Sequence, residues 1–164
     1  MAVKYERFEQ LPVWQAGMTL AERTFVLTAD RAFNYQGDLR SQLQRAALSV
    51  SNNVAEGFER GTTQELLTFL YIARGSAGEV RSMLCLLERL DHFAHLKSEI
   101  SDLKSLAESI SRQLRAWADS LQNSPITGQR YLTEKTQRAT EQKKRADAFL
   151  EKLKAAQKKT IAAT

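Results

Sequence analysis

The chain has 164 residues, 43% of them hydrophobic and 26% charged, which is enough for one ordinary domain with a real core. Two prolines and seven glycines exclude a turn-rich β protein and favour long helices. The single cysteine, Cys85, excludes an internal disulfide and suits a reducing cytoplasm. The net charge of +5 is concentrated in one place. Residues 1–128 carry 14 Lys/Arg against 15 Asp/Glu, whereas residues 129–164 carry 10 against 4. A neutral body with a basic appendage fits contact with an acidic partner such as RNA; a solvated tail that aids solubility is the plain alternative. The opening MAVKYERFEQ has no apolar signal core, and no run approaches the roughly 18 apolar residues of a membrane span.

In chain order, a lead segment ends at Pro12, which is tolerated in a first helical turn and predicts a helix from about Pro12 to Asp30. Two adjoining stripes predict broad burial on it. Trp14, Met18, Ala21 and Phe25 form one; Val13, Gly17, Leu20, Thr24 and Leu27 form the other. After a turn over Ala32–Gly37, Asp38 is the expected N-cap of a second helix. Its apolar face is Leu39, Leu43, Ala46, Val50, Val54 and Phe58. That helix stops around Gly57–Gly61. Thr62 with Glu65 three residues on makes a capping box for a third helix of about 28 residues. Leu66, Leu70, Ala73, Ala77, Val80, Leu84 and Leu87 form its core face. Asp91–Leu96 reads as a turn, and Ser98 as the cap of a fourth helix. Ile100, Leu103, Ala107, Ile110, Leu114, Trp117 and Leu121 give that helix a heptad seam. Four helices with short connections predict an all-α, antiparallel up-down-up-down four-helix bundle over residues 1–123. Residues 124–164 form a basic C-terminal extension, helical or flexible.

No set of acid, base, nucleophile or metal ligand converges in the sequence, so no enzyme, metal or cofactor is expected. Cys85 in MLCLLERL reads as a buried, inert thiol. His92 and His95 have only Asp91 as a close carboxylate, too few ligands for a metal site. Gly75 and Gly78 lie in mid helix, where each costs about 1 kcal/mol against alanine. Two so close imply a compensating close approach of another helix. Asn53 lies at the apolar edge of the second helix; it serves a helix-helix hydrogen bond, stands exposed, or contributes to a polar contact between subunits. Asn53, Gly75 and Gly78 are therefore the expected oligomer interface. In the tail, Lys143, Lys144, Arg145, Lys152, Lys154, Lys158 and Lys159 are the expected nucleic-acid contacts. They would neutralise phosphates without reading sequence.

Three consecutive motifs carry a resemblance. They are Gln-Leu-x-Arg-Ala-Ala-x-Ser at Gln42–Ser49, Asn-x-Ala-Glu-Gly at Asn53–Gly57, and Phe-Leu-x-Ile-Ala-x-Gly-Ser-x-x-Glu at Phe69–Glu79. The chain closely resembles the four helix bundle protein family, also called the 23S rRNA intervening-sequence protein family, over about three quarters of its length. The resemblance implies an antiparallel bundle that assembles as a ring-like homopentamer. Related accessory proteins of diversity-generating retroelements bind a reverse transcriptase and nucleic acid. The basic tail and the neutral body depart from the family pattern and move any RNA binding towards the tail. The expected function is a non-enzymatic homo-oligomeric scaffold for RNA or a nucleoprotein partner in the cytoplasm. The alternative is a protein-binding adaptor, including an accessory subunit of a reverse transcriptase.

Overall fold

A computed structural model describes residues 5–123, Gln142 and residues 145–151. Among the described residues the secondary structure is helical, with no strand. Two compact units divide the chain, Met1–Gly128 and Gln129–Thr164.

The first unit holds four long helices: α1 (Pro12–Thr28), α2 (Gly37–Glu59), α3 (Thr63–Leu87) and α4 (Lys97–Gln122). Short 3-10 turns at Phe8–Gln10, Arg31–Phe33 and Asp91–Leu96 precede α1, α2 and α4. Helix α2 packs on α1 and α3, α3 packs on α4, and α1 packs on α4.

Local chemistry sets the boundaries. Pro12 occupies the first turn of α1, where its missing N–H leaves nothing unpaired. The helix ends at Thr28, two residues earlier than the pattern predicts. The Asp30 carboxylate instead accepts from the Ala32 N–H and starts the next turn. Asp38 is not the N-cap of α2. That place falls to Gln36, and Asp38 sits within the first turn, where its charge still suits the helix dipole. Thr62 does cap α3: its Oγ1 accepts from the Glu65 N–H at 3.2 Å and donates to the Glu65 carboxylate at 2.7 Å. Helix α3 has 25 residues. Helix α4 starts at Lys97 straight from its 3-10 turn, so Ser98 lies inside it and does not cap it.

The core follows the helical phase. Leu43, Val50, Val54, Leu66, Leu70, Val80, Leu84, Leu87, Ile100, Leu103, Ile110 and Leu114 are all buried. Each full burial of such a side chain contributes about 1.5–3 kcal/mol. Three expectations change. Only one stripe of α1 is fully used: Val13, Gly17, Leu20, Thr24 and Leu27 are buried, Trp14 and Met18 are half-buried and Phe25 is exposed. On α4 the seam drifts by one residue after Leu114, so Ala118 is buried and Trp117 only half-buried. Helices with 3.6 residues per turn slip against a strict heptad in this way. Cys85 is exposed. The run MLCLLERL is apolar, but Leu84 and Leu87 hold its inward positions and Cys85 with Leu86 face out.

At one end of this unit the two turns meet. Phe33 and Phe93, both buried, stack edge to face at 4.8 Å between centroids. His95 Nε2 lies 3.1 Å from the Asp30 carboxylate. In the second unit, residues 145–151 are helical, with Phe149 and Leu150 exposed.

Candidate assembly interface

Two of the five glycines within the long helices above have a partner inside the chain. A Cβ on Gly17 would stand 3.3 Å from Ser51 Cβ and Val50 Cγ1, so α1 and α2 approach closely there. A Cβ on Gly57 would stand 2.7 Å from Phe69 Cβ, closer than the packing of α2 on α3 allows. Gly75 and Gly78 are different. A Cβ on either would meet nothing within 4 Å. Both lie exposed in the middle of α3. Their cost in helix propensity therefore has no return within one copy.

Their neighbours share the exposure. Tyr71, Gly75, Gly78, Ser82 and Cys85 recur at spacings of four and three, and all five are exposed. Ile72 and Leu86 flank them, also exposed. Spacings of four and three place residues on one helix face. The outer side of α3 is thus a smooth stripe with large apolar groups at each end and glycines between them. The Tyr71 hydroxyl accepts from Gln122 Nε2 at 2.9 Å, which ties that side chain to the end of α4.

Asn53 is close to this stripe but is engaged inside the chain. Its Nδ2 donates to the Ser49 carbonyl at 2.7 Å and to Ser49 Oγ at 2.9 Å. Ser49 Oγ and Ser76 Oγ are hydrogen-bonded at 2.9 Å, and Ser76 Oγ donates to the Ile72 carbonyl at 3.1 Å. The bond that crosses from α2 to α3 is Ser49–Ser76; both Asn53 bonds stay within α2 and hold Ser49 in place beside the segment of α3 that carries the two glycines.

The electrostatics around α3 are those of paired charges. Arg81 faces Glu108 on α4 at 3.8 Å. Lys104 on α4 bonds Glu88, which raises the Lys104 pKa first of all, and the Cys85 thiol adds in the same direction. Sequence reasoning missed this lysine beside the thiol, because the two lie on different helices. Among the described residues no group of three or more His, Cys, Asp and Glu could hold a metal ion. None of the helices there is long and apolar enough to cross a membrane.

Of the basic residues expected to touch nucleic acid, Arg145 is exposed on a helical segment. Lys143, Lys144, Lys152, Lys154, Lys158 and Lys159 lie outside the described residues.

No curated protein sequence matches the chain. Among solved structures, a protein of unknown function from the S23 ribosomal protein family of Bacteroides thetaiotaomicron is similar in fold. The TM-score is 0.57 at 18% identity, over 65% of this chain and 97% of that one. The family model described as 23S rRNA-intervening sequence protein matches residues 9–116, which span α1, α2, α3 and most of α4. The chain belongs to the 23S rRNA-intervening sequence protein family.

Proposed function

We propose that this chain is a non-catalytic scaffold that assembles with copies of itself through the outer face of α3 and holds RNA with its basic C-terminal segment. The observation that carries the reading is the open pair Gly75 and Gly78, framed by exposed Tyr71, Ile72 and Leu86. Small residues let a second helix come close, and exposed large apolar groups gain from being covered.

The first unit is read as an antiparallel up-down-up-down bundle. Late residues of one helix pair with early residues of the next: Thr28 with Gln44 and Glu88 with Lys104. Early Tyr71 of α3 likewise meets late Gln122 of α4, and late Arg23 of α1 meets early Glu99 of α4. In such a bundle α1 and α3 stand at opposite corners, since each packs on α2 and α4. Helix α1 carries its own exposed pair, Phe25 and Val26. Two different patches on opposite sides favour a head-to-tail contact, which closes into a ring. The family resemblance implies that the ring is a homopentamer.

RNA is favoured as the cargo by the charge distribution: the excess of Lys/Arg lies in residues 129–164 while the body is near neutral. One observation favours a second reading, a protein-binding adaptor such as a reverse transcriptase accessory. Residues 145–151 form a basic-flanked helical segment with Phe149 and Leu150 exposed, an apolar pair suited to docking.

Assembly is tested by light scattering on Gly78→Leu and Val26→Glu. Each variant alone falls to the mass of one 18.6 kDa chain. A mixture of the two forms one-to-one dimers, because each still offers one intact patch. An unchanged mass for Gly78→Leu removes α3 from the interface. Assembly by Val26→Glu alone replaces the head-to-tail contact with α3 on α3. RNA binding is tested by changing seven of the ten tail cations, those from Lys143 through Lys159, to glutamine. The slope of affinity against salt flattens by about 0.7 for each lost phosphate contact. An unchanged slope moves the tail to the adaptor reading.

A further inference from the structure

The strongest unexplained feature of the first unit lies at the entry to α2. Tyr35 is 104% exposed, so its ring rests on nothing in the chain. It is also the only non-glycine residue with positive φ among the described residues, at 68°. A bulky aromatic in that region is a genuine outlier, and its backbone costs about 1–2 kcal/mol against the right-handed form. Asn34 and Gly37, which tolerate the conformation better, stand on either side and do not adopt it. The strain thus holds an aromatic ring clear of the surface.

Beside it is an open cleft of about 450 Å³, lined by Phe33, Asn34, Tyr35, Gly37 and Arg40. That volume falls in the range of small-ligand sites. Its wall groups divide by chemistry. Phe33 is buried, fixed by its stack on Phe93, and gives an immobile floor. Asn34 offers an amide donor and acceptor. Arg40 is exposed and makes no ion pair among the described residues. Asp38, the one acid in residues 33–40, does not line the cleft. A free ring, a hydrogen-bonding amide and an uncompensated guanidinium fit a planar, hydrogen-bonding ligand that carries an anion.

We infer that the Asn34–Arg40 cleft binds one nucleotide of single-stranded RNA, with the base stacked on Tyr35, its edge at Asn34 and its phosphate at Arg40. Base–aromatic stacking needs an unpaired base and is tolerant of sequence. The inference deepens the RNA reading above and rests on it. It adds a contact that does not depend on the basic tail and that selects single strands over duplex.

The test uses the full chain, with a short fluorescein-labelled single-stranded RNA of mixed sequence and its duplex as probes, read by anisotropy across a salt series. Tyr35→Ala weakens single-strand binding by about 5- to 100-fold, the loss of one base stack, and leaves the salt slope unchanged. Tyr35→Phe retains the binding. Arg40→Gln weakens it and lowers the salt slope by about 0.7, the share of one phosphate. Duplex binding is untouched by Tyr35→Ala. Because the Tyr35 side chain touches nothing, circular dichroism of these variants matches the native chain. If Tyr35→Ala binds single strands as the native chain does while the tail-neutralised chain is weakened, the cleft is not a nucleotide site and the tail reading stands. If the tail-neutralised chain binds fully and Tyr35→Ala does not, the cleft stands and the tail reading falls. If the native chain binds neither probe, both fall.

Discussion

Replacing Gly75 and Gly78 together by alanine separates the stability of one copy from the stability of the proposed assembly. Both glycines lie well inside the 25-residue α3, so each alanine recovers close to the full propensity difference, about 1 kcal/mol. Beyond the helix's own adjacent backbone, no atom stands within 4 Å of either added methyl, so no packing cost is set against it inside the chain. The double variant should therefore unfold at higher urea, by roughly 2 kcal/mol, with an unchanged denaturant slope. The measurement must be made where the native chain is dilute enough to be a single copy, since assembly makes apparent stability depend on concentration. At higher concentration the order reverses if a second helix lies against the stripe. The methyls then hold the helices apart, and leucine at both sites abolishes the larger species in sedimentation velocity. A double-alanine variant less stable than the native chain when dilute would refute the reasoning, because it would mean that some group of the same copy already fills the space. Full assembly by the double-leucine variant would refute the assignment of the face.

Gly57→Ala should do the opposite. Its Cβ would stand 2.7 Å from Phe69 Cβ, and a net loss of about 1–2 kcal/mol in urea unfolding is expected after the helix gain offsets part of the overpacking. Trp117→Ala should cost about 2 kcal/mol, below the 3–5 of a fully buried ring; a larger loss means that the half-exposed ring is covered in the assembly. Cys85 should react with a maleimide quickly in the dilute single copy and slowly in the assembly, as mass spectrometry can follow; equal rates place the thiol off the interface. The carboxyl of Asp30 titrates below its ordinary value of 3.8, chiefly because the Ala32 N–H donates to it, with His95 adding and burial opposing. A depressed folded-state value stabilises above the ordinary value and is lost as pH falls through the depressed one. Asp30→Asn should therefore melt below the native chain at neutral pH, and the gap should close in strong acid; a gap that persists there means that the charge is not the cause.

Helix existence and phase were legible because core positions repeat every three or four residues, and that signal survives in one sequence. All seven predicted inward positions of α3 are buried. Thr62 was legible because capping is local chemistry. Cys85 was misplaced because it lies in an apolar run, where hydrophobicity alone cannot say which of two neighbouring residues turns inward; Trp117 was misplaced because a helix of 3.6 residues per turn slips off the strict heptad, which turns Ala118 inward instead. Ser98 fails as a cap because a 3-10 turn runs straight into α4 at Lys97, and Asp38 fails because α2 already begins at Gly37, with Gln36 in the cap position. The helical glycines were legible as an energetic cost, but only the folded structure distinguishes Gly57, which meets α3, from Gly75 and Gly78, which meet nothing. Tyr35 was invisible, since nothing in Asn-Tyr-Gln-Gly announces which residue takes the left-handed turn.

The meeting of Phe33 with Phe93 has a consequence for how copies stay distinct. In the proposed antiparallel bundle, two helical hairpins, α1 with α2 and α3 with α4, are joined in the chain only through Arg60–Thr62 at the far end. A pair of hairpins hinged at a short link can open and trade halves with a neighbour, which yields tangled dimers in place of an ordered assembly. The aromatic stack and the Asp30–His95 contact clasp the free ends of the two hairpins together. To exchange a hairpin, a copy must first expose two buried phenylalanines to water. For the proposed assembly, the clasp thus raises a barrier against interlocked products and leaves docking of closed copies as the open route.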